Sequence, residues 1–223
     1  MTASARAFRG FPPEAITFLE DLEANNDREW FKANRSRHQE FLVEPALALA
    51  SDLADFGPPH VFRPWNDTRF HMRPPIKEHL GMTIGYGGGG GYYFEISLDG
   101  LFVGAGLHHP SRDQLERIRK AVDTPRQVAA LKDAVAVASD AGLSLVEPHL
   151  TRAPRGYPAD HPELDLLRRK SLTVSRRQEL RGWVHKPEAG KRVRALMEGA
   201  APLVEWLRER IGPPLDDGGR RRR

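Results

Sequence analysis

Two arginines, an aspartate and a lysine lie close together in one proline-rich segment of this chain. Arg63, Asp67 and Arg69 fall within seven residues, and Lys77 follows soon after. A guanidinium can bind a carboxylate or a phosphate through two parallel hydrogen bonds, so such arginines are typical of anion sites. A carboxylate between two arginines would orient one of them and leave the other for a ligand. The alternative is structural, because Arg–Asp pairs also tether loops to sheets.

A second polar segment, 154–161, carries Arg155 and Tyr157, and Lys170 precedes a strand expected at 171–175. Both this segment and 63–77 are rich in arginine and proline and poor in apolar side chains. Proline-framed loops hold polar groups at low entropic cost. We therefore expect 63–77 and 154–161 to meet at one side of the sheet, with Lys170 entering the same pocket.

The sheet that would position these groups is indicated by three stretches of alternating apolar and small or polar residues, at 80–86, 92–98 and 101–107. Consecutive period-2 segments predict an antiparallel meander with one apolar face. Asp99-Gly100 predicts a two-residue hairpin turn. The opposite face is rich in glycine, which would let a ligand approach the backbone closely. Glu95 lies on that face and, with Asp67, is a candidate base if the site is catalytic.

Helices are expected on both sides of the meander in sequence. One runs from Pro12-Pro13 to about Asn25, Asn26 is expected to cap a second helix, and a C-terminal helix carries an apolar stripe from Val193 to Leu207. The prediction is an α+β fold, with an antiparallel β-meander core packed by N-terminal and C-terminal helices. We expect one domain over 11–212, a flexible segment at 1–10 and a disordered Arg-rich tail at 213–223.

Composition excludes several classes of site. The chain has 223 residues and no cysteine, which removes disulfides, thiolate metal sites and cysteine nucleophiles. Gly87–Gly91 leads into a strand rather than a helix, so it predicts a turn and not a phosphate loop. His108 and His109 are expected to point apart at a strand end. We expect neither a metal nor a cofactor.

Charge and hydropathy suggest a cytoplasmic protein that does not contact membranes. No long uncharged apolar run or apolar leader is present in the sequence. The net charge of +4 is carried entirely by the terminal residues 220–223, so the body is neutral. A neutral body argues against nucleic-acid binding, although the arginine tail keeps it as an alternative. The sequence does not indicate an oligomeric state.

Four segments, in this order and spacing, resemble one bacterial family, the domain of unknown function 2461. They are FLEDLEANNDREWFKANR at 18–35, FRPWNDTRF at 62–70 with PIK at 75–77, GYY at 91–93 with FVGAGL at 102–107, and PRGYPADHP at 154–162 with RKS at 169–171. The resemblance covers about residues 11 to 211 and implies a domain that spans the chain. The family pattern after Arg-Phe is Ser-Lys-Asp-Lys-x-Pro-Tyr-Lys, where this chain has HMRPPIK at 71–77. Lys77 matches, and Ile76 replaces the tyrosine.

The family implies no reaction, so function has to be argued from the residues. The leading hypothesis is an anion-binding domain for a phosphorylated or carboxylated small molecule, and an enzyme acting on such a molecule is one form of it. The alternatives are a nucleic-acid-associated protein and a structural or partner-binding protein without catalytic activity. The candidate ligand-binding residues are Arg63, Asp67, Arg69, Lys77, Glu95, Arg155, Tyr157 and Lys170.

Overall fold

A six-stranded antiparallel sheet with helices before and after it in sequence makes this an α+β fold, as predicted. The computed structural model describes residues 7–67, 69, 73–147 and 150–215. Residues 71 and 72 of the divergent HMRPPIK stretch, and the terminal arginines 220–223, lie outside the described residues.

The strands appear in the sheet in the order β1-β2-β3-β4-β6-β5, so β2, β3 and β4 form the predicted meander and β1 adds to it at one edge. Their bounds are β1 (Pro59–Val61), β2 (His79–Ile84), β3 (Gly91–Ser97), β4 (Gly100–Leu107), β5 (Ser144–Leu145) and β6 (Leu172–Gln178). In the β1–β2 pair Val61 lies opposite Met82, and in the β5–β6 pair Leu145 lies opposite Val174.

The helices are α1 (Pro13–Ala24), α2 (Arg28–Ala33), α3 (Arg35–His38), α4 (Glu44–Asp52), α5 (Arg112–Val122), α6 (Pro125–Asp140), α7 (Leu164–Leu167) and α8 (Glu188–Arg210). A π-helical turn, Gln39–Val43, joins α3 to α4, and short 3₁₀ turns occupy Ala54–Phe56 and Gly182–His185. Within the described residues, no helix is both long and apolar enough to cross a membrane.

Two compact units interleave along the chain. Unit 1 comprises Met1–Gly85, Tyr93–Val103 and Arg177–Ala195, and unit 2 comprises Tyr86–Tyr92, Gly104–Arg176 and Leu196–Arg223.

The core of unit 1 forms where the apolar faces of its helices and strands meet. Phe18 of α1, Leu49 of α4, Met82 of β2 and Phe94 of β3 are fully buried. Phe11, ahead of α1, stacks on Phe94 with ring centroids 5.9 Å apart. This packing fixes the apolar side of β2 and β3, so alternate residues on those strands must face the other way.

Ordered packing in unit 1 begins before residue 11, where the flexible segment was predicted to end. Phe8 is buried, and its backbone N–H donates to Asp52 Oδ2 at 3.1 Å. Gly10 has φ +107°, and a Cβ there would lie 2.2 Å from the carbonyl carbon of His185.

Unit 2 is organised around Gln114, a buried side chain on α5. Ser111 and Gln114 form a capping box, so Ser111 caps α5. The Gln114 amide donates to the carbonyl oxygens of Gly88 at 2.6 Å and Gly212 at 2.8 Å. The glycine run is thus a connection between β2 and β3 that packs on the C-terminal segment. Pro213 and Leu215, in the predicted tail, are also hydrogen-bonded, to Arg117 and Asp113.

Three local predictions were wrong. Asp27, rather than Asn26, caps α2, because its side chain accepts from the N–H groups of Glu29 and Trp30. The turn between β3 and β4 is Leu98-Asp99, and Gly100 begins β4 with φ +136°. His108 and His109 do not point apart: their ring centroids are 4.0 Å apart, because β4 ends at Leu107 and strand alternation ends with it.

Gly106 should be the least replaceable glycine on β4. Its φ is +121°, and a Cβ would lie 2.2 Å from the carbonyl oxygen of Leu172 on the neighbouring strand. We expect Gly106→Ala to lower the free energy of unfolding by roughly 3 kcal/mol, from backbone strain and overpacking together. Urea denaturation measures it. Gly156→Ala, at φ +93° in open space, should cost about 1 kcal/mol, and Gly182→Ala, in open space without a positive φ, close to none. Equal costs at the three sites would contradict this.

His38 should make the stability of unit 1 pH-dependent. Its ring lies 5.8 Å from that of Phe18 and 5.2 Å from that of Phe31. Burial, and secondarily the charge of Arg35, lowers the pKa of His38 to about 4. Below pH 6.5 the unfolded chain therefore binds a proton that the folded chain does not, so stability falls as the pH drops towards 4.

The loss between pH 7 and 4 should be about 2–3 kcal/mol, at 1.4 kcal/mol for each unit of pKa difference. His38→Leu should remove that part of the slope, whatever its effect on stability at pH 7. Urea unfolding of both proteins at several pH values gives the comparison. An identical pH slope in wild type and variant would contradict the assignment.

Candidate functional site

A set of polar side chains lies on the non-core side of β2, β3 and β6 within unit 1. We call it the polar face and define it by His79, Tyr93, Glu95, Ser97 and Arg177. Alternation along β3 places Tyr93, Glu95 and Ser97 on one side, opposite the buried Phe94 and Ile96. The Tyr93 hydroxyl donates to Glu95 Oε2 at 2.8 Å.

Arg177 completes the hydrogen bonding of the Glu95 carboxylate. Its Nη2 donates to Glu95 Oε1 at 3.1 Å, and its Nη1 donates to Ser97 Oγ at 3.2 Å. The guanidinium also lies over the ring of Phe102, 5.0 Å from the centroid. Glu95 is 15% exposed, so each of its oxygens needs such a donor, and the charge of Arg177 is balanced by this one carboxylate.

His79 and Tyr93 are held in their neutral forms. Burial lowers the pKa of His79, with the positive charges of Lys77 and Arg177 acting in the same direction and Glu95 opposing them. The His79 Nε2 lies 3.9 Å from Glu95 Oε2. Burial, and then the Glu95 charge, raises the pKa of Tyr93 far above its usual range, so its hydroxyl stays a hydrogen-bond donor. The polar face can therefore offer a neutral imidazole beside a carboxylate.

The space beside Gly81 is filled by aromatic side chains of the protein itself. A Cβ on Gly81 would lie 2.7 Å from the Tyr93 hydroxyl and 3.3 Å from Phe62 Cδ2. The close approach that the sequence predicted at this glycine is thus made by Tyr93 and Phe62 and not by a ligand.

Lys77 lies at the edge of the polar face, beside Arg63. Its ammonium donates to the Arg63 carbonyl oxygen at 3.0 Å and lies 5.5 Å from the centroid of the Phe62 ring. Burial, and then the positive charge of Arg63, lowers the pKa of Lys77. Lys77 and the Arg63 guanidinium are therefore close enough to repel each other.

Both carboxylate oxygens of Asp67 accept hydrogen bonds from Arg69. The sequence predicted that Asp67 would orient one of the two arginines near it in this way. Arg69 donates from Nε to Asp67 Oδ1 at 2.9 Å and from Nη2 to Oδ2 at 2.7 Å. These bonds hold the pKa of Asp67 well below its usual range. The Arg63 side chain is exposed and makes no side-chain hydrogen bond or ion pair with any residue that the structure describes, although its positive charge also lowers the pKa of Asp67.

Asn26 holds the 63–77 segment in place, a role that the sequence interpretation missed. Its Oδ1 accepts from the Ile76 N–H at 3.0 Å, and its Nδ2 donates to the Ile76 carbonyl at 3.0 Å and to Glu78 Oε1 at 2.8 Å. Ile76 itself is fully buried. The backbone immediately before Lys77 and the Glu78 side chain immediately after it are therefore both bound by Asn26, fifty residues before Ile76 in the chain.

Arg177 was also missed, because the strand was predicted to end at Ser175. In the structure β6 continues to Gln178, so Thr173, Ser175 and Arg177 share one side of the strand. The period-2 spacing of these three polar residues is the signal that could have placed Arg177 beside Glu95.

The second predicted segment lies in unit 2 and centres on His161. Its Nε2 lies 3.0 Å from Asp123 Oδ1, and its Nδ1 accepts from the Glu163 N–H at 3.0 Å. Both ring nitrogens are thus used to fix the loop. Tyr157 is half-buried 5.9 Å from the His161 ring, and burial raises its pKa.

Arg155 is exposed, and Lys170 is an exposed residue two positions before β6. Ligand contacts by Arg155, Tyr157 and Lys170, and a pocket shared by the 63–77 and 154–161 segments, stay predictions.

A pocket of 410 Å³ lies elsewhere, in unit 2, between α6 and the 162–166 segment. Most of its lining is apolar, from leucines at 131, 145, 164 and 166 together with Val135 and Pro162. Its polar groups include the Lys132–Glu163 ion pair, already matched to each other. Convergent, unmatched polar groups are what a specific ligand site needs. The polar face with Lys77 and Arg63 is therefore the stronger candidate.

Metal binding by side chains receives no support from the described part of the chain, where no group of three histidine, aspartate or glutamate residues could hold an ion.

In comparisons with known proteins, a family model matches residues 14–206 of the chain. No match was found among curated proteins or among solved structures. The matched range includes all residues of the polar face, together with Arg63 and Lys77. The chain therefore belongs to the conserved hypothetical protein family DUF2461.

Proposed function

We propose that this protein binds a small carboxylated or phosphorylated molecule at the edge of the polar face, through Lys77 and Arg63. The observation that supports this most is an imbalance of charge. Arg177 is matched by Glu95 and Arg69 by Asp67, whereas Lys77 and Arg63 have no carboxylate within ion-pair distance among the described residues. An anion between them would offset their mutual repulsion and raise the pKa of Lys77.

The rigidity of the surroundings also supports a binding site. Asn26 fixes the backbone around Lys77, and the Lys77 N–H donates to the Pro64 carbonyl at 2.7 Å. Because the Lys77 ammonium is already held by the Arg63 carbonyl, this cation loses little conformational entropy on binding a ligand. An enzyme would need a proton acceptor near the bound anion. We assign that role to neutral His79. The Asp67 carboxylate is occupied by Arg69, and the Glu95 carboxylate by Tyr93 and Arg177.

The sheet aromatics do not favour nucleic acid over a small anion. Tyr92 is buried and Tyr93 is hydrogen-bonded to Glu95, so the two do not offer the stacking platform that single-stranded nucleic acid needs.

The proposal predicts a thermal shift that depends on Lys77 and Arg63. A panel of phosphorylated and carboxylated metabolites at millimolar concentration should contain compounds that raise the melting temperature by mass action. At ten times the Kd the gain is about 1.4 kcal/mol, or roughly 3–6 °C for a chain of this size. The double variant Lys77→Met, Arg63→Ala should abolish the shift. The methionine keeps an apolar stem against Phe62, so the loss would report the charge.

The matched control is Lys191→Met, which removes an exposed lysine of α8 and should leave the shift unchanged. Two results would count against the proposal: no stabilisation by any compound in a broad panel, or an undiminished shift in the double variant.

A further inference from the structure

An exposed aromatic ring lies next to the cations of the proposed site. Phe62, which follows β1, is 38% exposed although it is one of the largest apolar side chains in the protein. Its inner contacts are the Tyr93 ring at 6.2 Å and the position of Gly81, where its Cδ2 lies 3.3 Å from an ideal Cβ. The His60 ring meets it edge-on at 5.4 Å. Phe62 is thus supported from within unit 1 and remains open to solvent.

Two exposed aromatic side chains of unit 1 lie within two positions of Arg63 in the chain. Phe62 and Trp65, which is 41% exposed, lie on either side of Arg63 in sequence, and Trp65 contacts Phe31 edge-on at 5.4 Å. The Lys77 ammonium is 5.5 Å from the Phe62 centroid. Single exposed apolar residues are ordinary, but an aromatic surface beside positive charges matches a ligand that has a flat ring and a negative group.

We infer that the anion bound by Lys77 and Arg63 carries an aromatic ring that stacks on Phe62, with the carboxylate or phosphate attached close to that ring. This inference rests on the proposed function and adds the class of ligand. The negative group must be attached close to the aromatic ring of the ligand. The Lys77 ammonium is 5.5 Å from the Phe62 centroid, and one small molecule must reach both. A charge on a long flexible linker would not be held at Lys77 while the ring lies on Phe62.

The contribution of the ring can be separated from that of the charge. Stacking between two aromatic rings stabilises a contact enough to raise affinity by roughly tenfold. Benzoate and phenyl phosphate should therefore bind about tenfold more tightly than acetate and inorganic phosphate, as measured by calorimetric titration of the full chain. The better of the two aromatic compounds identifies the negative group, and either order agrees with the inference.

Phe62→Leu tests the stacking surface while keeping an apolar side chain over Gly81. The variant should lose the tenfold preference for aromatic compounds and keep its affinity for acetate and phosphate, which also shows that it is folded. Phe56→Leu is the matched control, because Phe56 is another ring of unit 1 that has an arginine, Arg194, over it at 5.4 Å. This control should keep the preference, and Lys77→Met should weaken binding of all four compounds.

The outcomes separate the inference from the proposed function. If acetate or phosphate binds as tightly as the aromatic compounds, the inference that the ligand carries an aromatic ring is wrong, and the proposed anion site is unaffected. A preference that survives Phe62→Leu overturns Phe62 as the stacking surface. Tight binding of a nucleoside monophosphate without binding of phenyl phosphate overturns the close attachment of charge and ring. If none of these compounds binds, both proposals fail.

Discussion

The polar face depends on one partly buried carboxylate. Glu95 lies on a strand whose alternate residues are fully buried, so its charge is held near the protein interior and requires donors. Tyr93 supplies one from the same strand, and Arg177 supplies another from β6. Ser97 and Phe102 then fix the guanidinium. Removal of Glu95 would leave Arg177 as an unmatched charge. Because Glu95 balances Arg177, the proposal assigns anion binding to Lys77 and Arg63 and not to Arg177.

The position of the proposed anion site depends on a contact between residues that are distant in sequence. Asn26 follows α1 and binds Ile76 and Glu78 through three hydrogen bonds, and these residues flank Lys77. The helical packing of unit 1 is therefore coupled to the position of the ammonium. Contacts nearer in sequence hold the same segment, since the Lys77 N–H donates to the Pro64 carbonyl and the Asn66 N–H to the Pro75 carbonyl.

The sequence predicted the parts of this structure that depend on local periodicity. The meander and the helix after Pro12 follow from patterns within a few residues, and both are confirmed. Asn26 and Asp27 are both residue types that cap helices, so the local sequence did not decide between them. Asn26 binds Ile76, fifty residues away, and Asp27 caps α2. Arg177 required the true length of β6. The pairing of Asp67 with Arg69 lies within three residues and was foreseeable. The sequence could not show that Arg63 and Lys77 have no carboxylate within ion-pair distance among the described residues.

The contact of Gln114 with Gly212 has a consequence for how the chain is made. The Gln114 amide is buried and divides its two donors between Gly88 and Gly212, which lie on either side of it in sequence. The Gly88 carbonyl is available as soon as α5 leaves the ribosome, but Gly212 follows 98 residues later. During synthesis one amide hydrogen must therefore stay with water, and α5 can complete its buried hydrogen bonds only when α8 has been translated.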